Sequence, residues 1–151
     1  MPDIDTGLLE NASGDVETKG TYRIYKDGDI TKVDLYHSTK ITGISGTGNG
    51  FMGFAFLDEN GEPILREEHY HSVGSDVIRG VNKKKYNKTI TIFDNEWNKV
   101  HGVSFNVKAK ENDPIDIQDV WGTLREVIPF LAKLAIGELS NSTNWLIKRI
   151  K

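Results

Sequence analysis

The sequence predicts a mainly β domain: an antiparallel β-sandwich or small barrel of about seven or eight strands with a C-terminal amphipathic α-helix. Three observations carry this. From Gly20 onward, short alternating runs are rich in Tyr, Ile, Val, Thr and Phe. Turn residues separate these runs at intervals of about ten residues. After Pro114 the apolar period changes from two to the helical three and four. Strands and helices do not alternate, which argues against a doubly wound α/β fold.

In chain order, residues 1–19 are rich in Asp, Glu, Gly and Ser, lack periodicity and predict a flexible arm or a strand donated to a partner. Residues 20–110 predict the sandwich. Asp27-Gly28 joins GTYRIYK to ITKVDLY, and Asn60-Gly61 joins GFMGFAFLD to PILREEHYHSV. Both dipeptides tolerate the positive φ of tight hairpins. A glycine-rich hairpin is predicted between TKITGIS and MGFAFLD. Another pairs NKTITIF with KVHGVSFNVKAK through Asp94 to Asn98. In the second of these runs His101, Val103, Phe105, Val107 and Ala109 share one parity, which predicts one buried face.

Residues 111–151 predict a helical segment packed on the sandwich or extending from it. Val120, Trp121, Leu124, Val127, Ile128, Leu131, Leu134 and Ala135 form its apolar stripe, with a kink or break at Pro129. Gly137 stops this helix, and Ser140-Asn141-Ser142 caps a last short one ending at Lys151.

Composition narrows the function classes. The 151 residues carry 19 Lys plus Arg against 22 Asp plus Glu, a net charge of -3 that implies no nucleic-acid partner. The absence of cysteine excludes thiolate catalysis, disulfides and cysteine-ligated metals. The first twenty residues lack the basic start and apolar run of a signal peptide, so synthesis and folding in the cytoplasm are expected, with any release or surface association by a non-classical route.

Gly48-Asn49-Gly50-Phe51-Met52-Gly53 has G-x-G-x-x-G spacing, but FMGFAFLD continues it as a strand. The helix whose amides would hold a pyrophosphate is missing, so a structural role is expected and no cofactor is predicted.

Glu67, His69 and His71 alternate on one face of a predicted strand and form a candidate metal set. The His-x-His pair resembles the first motif of the cupins, with Asp76 near the place of their glutamate. That resemblance implies a small metal-dependent enzyme. His101, on an apolar face, is read as a hydrogen-bonded core histidine. Asn82 to Lys88 is read as a solvated basic loop. Trp97, in a polar turn, either folds back onto the sandwich or stacks on a ligand.

ITGISGTGNGFMGFAFLDENGEPI followed by HYHSVGSDV resembles the middle of the fungal fruit-body lectins, which share the actinoporin-like β-sandwich. The resemblance covers residues 41–81. It implies glycan recognition, with Ser45, Gly46, His69, Tyr70, Asp76 and Val77 in the ligand-contacting region; Trp97 joins them on its residue type alone. Three functional expectations follow. The first is a non-catalytic, lectin-like recognition module that binds a glycan, a membrane surface or a protein through hairpin loops and self-associates. The second is an assembly subunit of a bacterial or viral particle, and the third a cupin-like enzyme.

Overall fold

The structure, a computed structural model, describes residues 3–151, with the side chains of Leu124 and Phe130 outside the description. Nine strands are present among the described residues: β1 (Asp3–Ser13), β2 (Val16–Asp27), β3 (Ile30–Thr42), β4 (Thr47–Leu57), β5 (Pro63–Gly74), β6 (Val81–Ile92), β7 (Gly102–Glu111), β8 (Leu139–Asn141) and β9 (Trp145–Arg149). Two short helical elements interrupt them, α1 (Asp94–Trp97) and α2 (Ile117–Val127). The strands form two antiparallel sheets, one in the order β1-β2-β3-β6 and the other in the order β5-β4-β7-β9-β8. The mainly β class and the sandwich are as predicted; among the described residues the sheets do not close into a barrel.

The main core lies between the sheets. Tyr22, Ile24, Val33 and Leu35 of the four-stranded sheet meet Met52, Phe54, Phe56, Val103, Phe105 and Val107 of the five-stranded one. These positions alternate along each strand because successive side chains point to opposite faces. Gly20 gives Phe105 its space: a Cβ there would lie 2.9 Å from the Phe105 ring. A second core covers the outer face of the five-stranded sheet, where Trp121 and Leu131 pack on Phe51, Ala55, Leu57 and Ile147.

Several expectations are corrected. Residues 3–19 are strand β1 and the start of β2, not an arm; Met1 and Pro2 lie outside the described residues. Burial of Leu9 in the main core and the full β1–β2 ladder outweigh the weak local pattern. The β3–β4 and β6–β7 connections are not hairpins. Each passes from one sheet to the other, because β3 pairs with β6 and β4 with β7. The residues read as a basic loop at 82–88 belong to β6.

At the C-terminus the helix ends at Val127 and continues as a 3₁₀ segment, Ile128–Lys133, with Pro129 at its start. The chain then returns as β8 and β9 where a last short helix was expected. Leu146 enters the main core while Ile147 enters the second, a two-faced burial that a helix at this place would not give. β7 is buried on both faces, not one: Ser104 and Asn106 are also buried, with Asn106 beside Trp121 of α2.

Leu131 anchors the 3₁₀ segment against Gly102 and is 2% exposed. Leu131→Ala is expected to destabilise the fold by about 2–5 kcal/mol, the usual cost of a buried leucine truncation. Urea unfolding followed by tryptophan fluorescence measures it.

Candidate functional site

The sequence-derived residues fall into four places. Ser45, Gly46, Asp76 and Val77 meet at one end of the sandwich. His69 points between the sheets. Tyr70, next in the chain and therefore on the opposite face, lies beneath the segment leading into α2, where its hydroxyl accepts from the Ile115 amide at 3.1 Å. Trp97 is at α1, 9% exposed and packed edge-on against Phe56 with ring centroids 5.7 Å apart. It has folded back, the first of the two alternatives the sequence leaves for it, and it lies apart from His69 and Tyr70.

The loop end is built from Gly43–Gly46, after β3, and Ser75–Gly80, after β5. Two backbone hydrogen bonds join them, Gly43 N to Gly80 O at 2.7 Å and Ser75 N to Gly46 O at 3.1 Å. Gly43, Gly46 and Gly80 take φ values of 120°, 104° and 72°, which disfavour any side chain. Asp76 stiffens the second loop by accepting from the Ile78 and Arg79 amides at 2.9 and 3.0 Å. The result is a fixed platform that projects Ile44, Val77 and Ile78, which are 66%, 72% and 92% exposed, beside the partly exposed Val81. Arg79, Lys83, Lys84 and Lys85 lie alongside, and no carboxylate pairs with them among the described residues.

The second constellation lies between the sheets. His37 of β3 is completely buried, His71 of β5 nearly so and His69 half-buried. The rings of His37 and His71 stack at 4.4 Å, and those of His69 and Tyr86 at 3.6 Å. His37 Nδ1 is 2.9 Å from His69 Nδ1, and its Nε2 is 2.7 Å from Thr18 Oγ1. Thr39 Oγ1 lies 3.0 Å from His71 Nδ1 and 3.1 Å from Thr18 Oγ1.

A carbonyl can only accept, and this sets the direction of the network. Thr18 donates its hydroxyl hydrogen to Ser38 O at 3.0 Å. The His37 Nε2–H therefore donates to Thr18, leaving Nδ1 as a bare lone pair that accepts the Nδ1–H of His69. The arrangement that uses every hydrogen then runs from His71 Nδ1–H to Thr39 and from Thr39 to Thr18.

The glycine motif acquires its role here. Gly50 is paired opposite His71, and a Cβ on it would lie 2.0 Å from Thr39 Oγ1 and 2.8 Å from Thr18 Oγ1. Gly50 therefore makes room for the threonine pair, while Gly48 lies against Val16 and Ile41, and no phosphate loop is formed. Glu67, expected as a third metal ligand, has its two oxygens 3.0 Å from Lys88 Nζ, and the buried imidazole beside the pair is that of His37. His37 was accessible to sequence reading through the shared parity of Val33, Leu35 and His37. His101 is a partly buried residue hydrogen-bonded to Lys99 O, not a core histidine.

The fold and site define a class: a two-sheet antiparallel β-sandwich with a histidine–threonine network between its sheets and an apolar loop platform at one end. No protein-family model matches the chain, nor does any curated protein or solved structure.

Burial holds His37 down at about 3, helped by the charges that His71 and His69 would carry. His71 is lowered to about 4 by burial, then by His69 and Lys84. Both groups lie below the 6.5 of an unperturbed histidine, so the unfolded chain binds more protons as the pH falls below that value. Stability is complete above about 6.5 and declines toward 4. The unfolding midpoint in urea should therefore drop between about pH 7.5 and about pH 5, and His71→Gln should flatten part of that drop.

Proposed function

We propose that the protein is a non-catalytic recognition module whose loop end docks on an anionic membrane surface. One observation carries this reading: Ile44, Val77 and Ile78 are exposed together on two loops tied to each other by backbone hydrogen bonds, beside Val81 at the start of β6. Exposed aliphatic side chains are individually ordinary, but a rigid group of them marks a contact surface.

The chemistry favours lipid over glycan. Aliphatic groups offer nothing to sugar hydroxyls, and the aromatic faces that would stack on a sugar, Tyr70 and Trp97, lie elsewhere. Buried in an acyl region, each Val or Ile contributes about 1.5–3 kcal/mol at full burial. A basic residue near an anionic leaflet adds about 1 kcal/mol. Arg79, Lys83, Lys84 and Lys85 stand on the β6 side of the platform, whereas Asp15 and Glu111 stand on the other. Docking therefore tilts the β6 side toward the surface. Because Asp76 already fixes the loop, little ordering entropy is lost on contact.

Cosedimentation with vesicles tests the proposal. Binding to mixed phosphatidylcholine–phosphatidylserine vesicles is expected, weakening with added salt and weaker still on phosphatidylcholine alone. Replacing Val77 and Ile78 together by serine should lower partitioning by about tenfold or more. Equal partitioning of wild type and variant, or no binding at low salt, overturns the proposal.

A further inference from the structure

We propose that His37, His69 and His71 bind one divalent transition-metal cation of the zinc class between the two sheets. The site is independent of the loop platform and uses a different set of residues from the Glu67, His69 and His71 set that the sequence suggests.

Geometry comes first. One ring nitrogen from each of the three histidines lies within 4.8 Å of the others. His37 and His69 present their Nδ1 atoms to each other at 2.9 Å. Two imidazole nitrogens on one tetrahedral zinc stand about 3.3 Å apart, since each bond is about 2.0–2.1 Å. The pair needs to open by only a few tenths of an ångström, with His69 taking its other tautomer so that both nitrogens direct lone pairs at the cation. No proton need leave the protein in that exchange.

The threonine network supplies what a histidine ligand ordinarily requires. A metal-bound imidazole donates its second nitrogen's hydrogen to a fixed partner, which sets the ring's orientation and tautomer. Thr18 takes that hydrogen from His37, and Thr39 takes it from His71. Thr18 is itself anchored to Ser38 O. The Tyr86 ring stacks on His69 and holds it across the gap.

Ligand type selects the ion. Three neutral imidazoles with no carboxylate suit zinc, copper, nickel or cobalt and not calcium or magnesium, which take oxygen ligands. Glu67 is held by Lys88 and leaves the cluster without an anion. Three protein ligands are also the number found in zinc sites that keep one coordination position open.

Tag-free protein stripped with a chelator is titrated with Zn²⁺ alone and with Co²⁺ alone. Calorimetry should show one equivalent of Zn²⁺, and Co²⁺ should give the visible ligand-field absorption of a four-coordinate site with three nitrogen ligands. Zn²⁺ should also raise the thermal midpoint, as any ligand of the folded state does. His69→Ala and His71→Ala should each weaken Zn²⁺ binding by about a hundredfold or more, while Glu67→Gln leaves it within about twofold. His37 sits in the core, so its role is read in the wild type: its imidazole nitrogen resonances should move on Zn²⁺ addition. No stoichiometric binding, undiminished binding in both histidine variants, loss of binding in Glu67→Gln, or unmoved His37 resonances would each overturn the site.

Discussion

The sandwich is organised by the need to bury β4 on both faces. Met52, Phe54 and Phe56 fill the space between the sheets, while Phe51, Ala55 and Leu57 are covered from outside by α2 and the 3₁₀ segment. A strand in that position must have neighbours on both sides and layers above and below. β5 and β7 supply the first, and the four-stranded sheet and the C-terminal helical segment supply the second. Removing either layer would expose a row of apolar side chains to water, which is why the helical segment belongs to the domain even though it makes no sheet.

The same strand changes character along its length. At one end its inward positions are Phe54 and Phe56; at the other they are Gly48 and Gly50. At Gly50 the interior becomes polar and the Thr18, Thr39, His37 and His71 network occupies the space, before Gly48 returns it to the apolar Val16 and Ile41. Desolvation would make such a network costly if any hydrogen were unmatched. Its consistent donor direction, ending on the Ser38 carbonyl, is what allows it to sit beside a packed aromatic core. At the open edge β5 and β6 face each other without backbone pairing. Glu67 meets Lys88 and His69 meets Tyr86, so side chains close a seam that no ladder closes.

The sheet class was legible because parity is local: the alternation of Tyr22, Ile24, Val33 and Leu35 can be read without knowing any partner. What lay beyond reach was sheet membership. Asp27-Gly28 and Asn60-Gly61 do turn hairpins, yet similar turn chemistry at Gly43–Gly46 and Asp94–Asn98 carries the chain across to the opposite sheet. Local φ preferences are the same in both cases, and only the tertiary partner differs. β9 was missed for a related reason. Trp145, Leu146, Ile147 and Ile150 suit a short helix by spacing, but burial from both sides favours a strand. Of the candidate site, Ser45, Gly46, Asp76 and Val77 do come together. His69 and Tyr70 are separated by the strand's own alternation, and His37 is brought to His69 from across a sheet boundary that the sequence does not mark.

Asp5 is buried near the start of the chain, where it accepts from Tyr22 at 2.6 Å and pairs with Lys148, 143 residues away. β9, which carries Lys148, is an interior strand of its sheet, placed between β7 and β8. During synthesis the first strands leave the ribosome long before β9 exists, and Asp5 waits without its cation until Lys148 has emerged. The domain therefore closes as a late, chain-length-dependent event, with the slow kinetics typical of non-local β topologies. Until then β7 offers an unpaired edge to any other strand it meets.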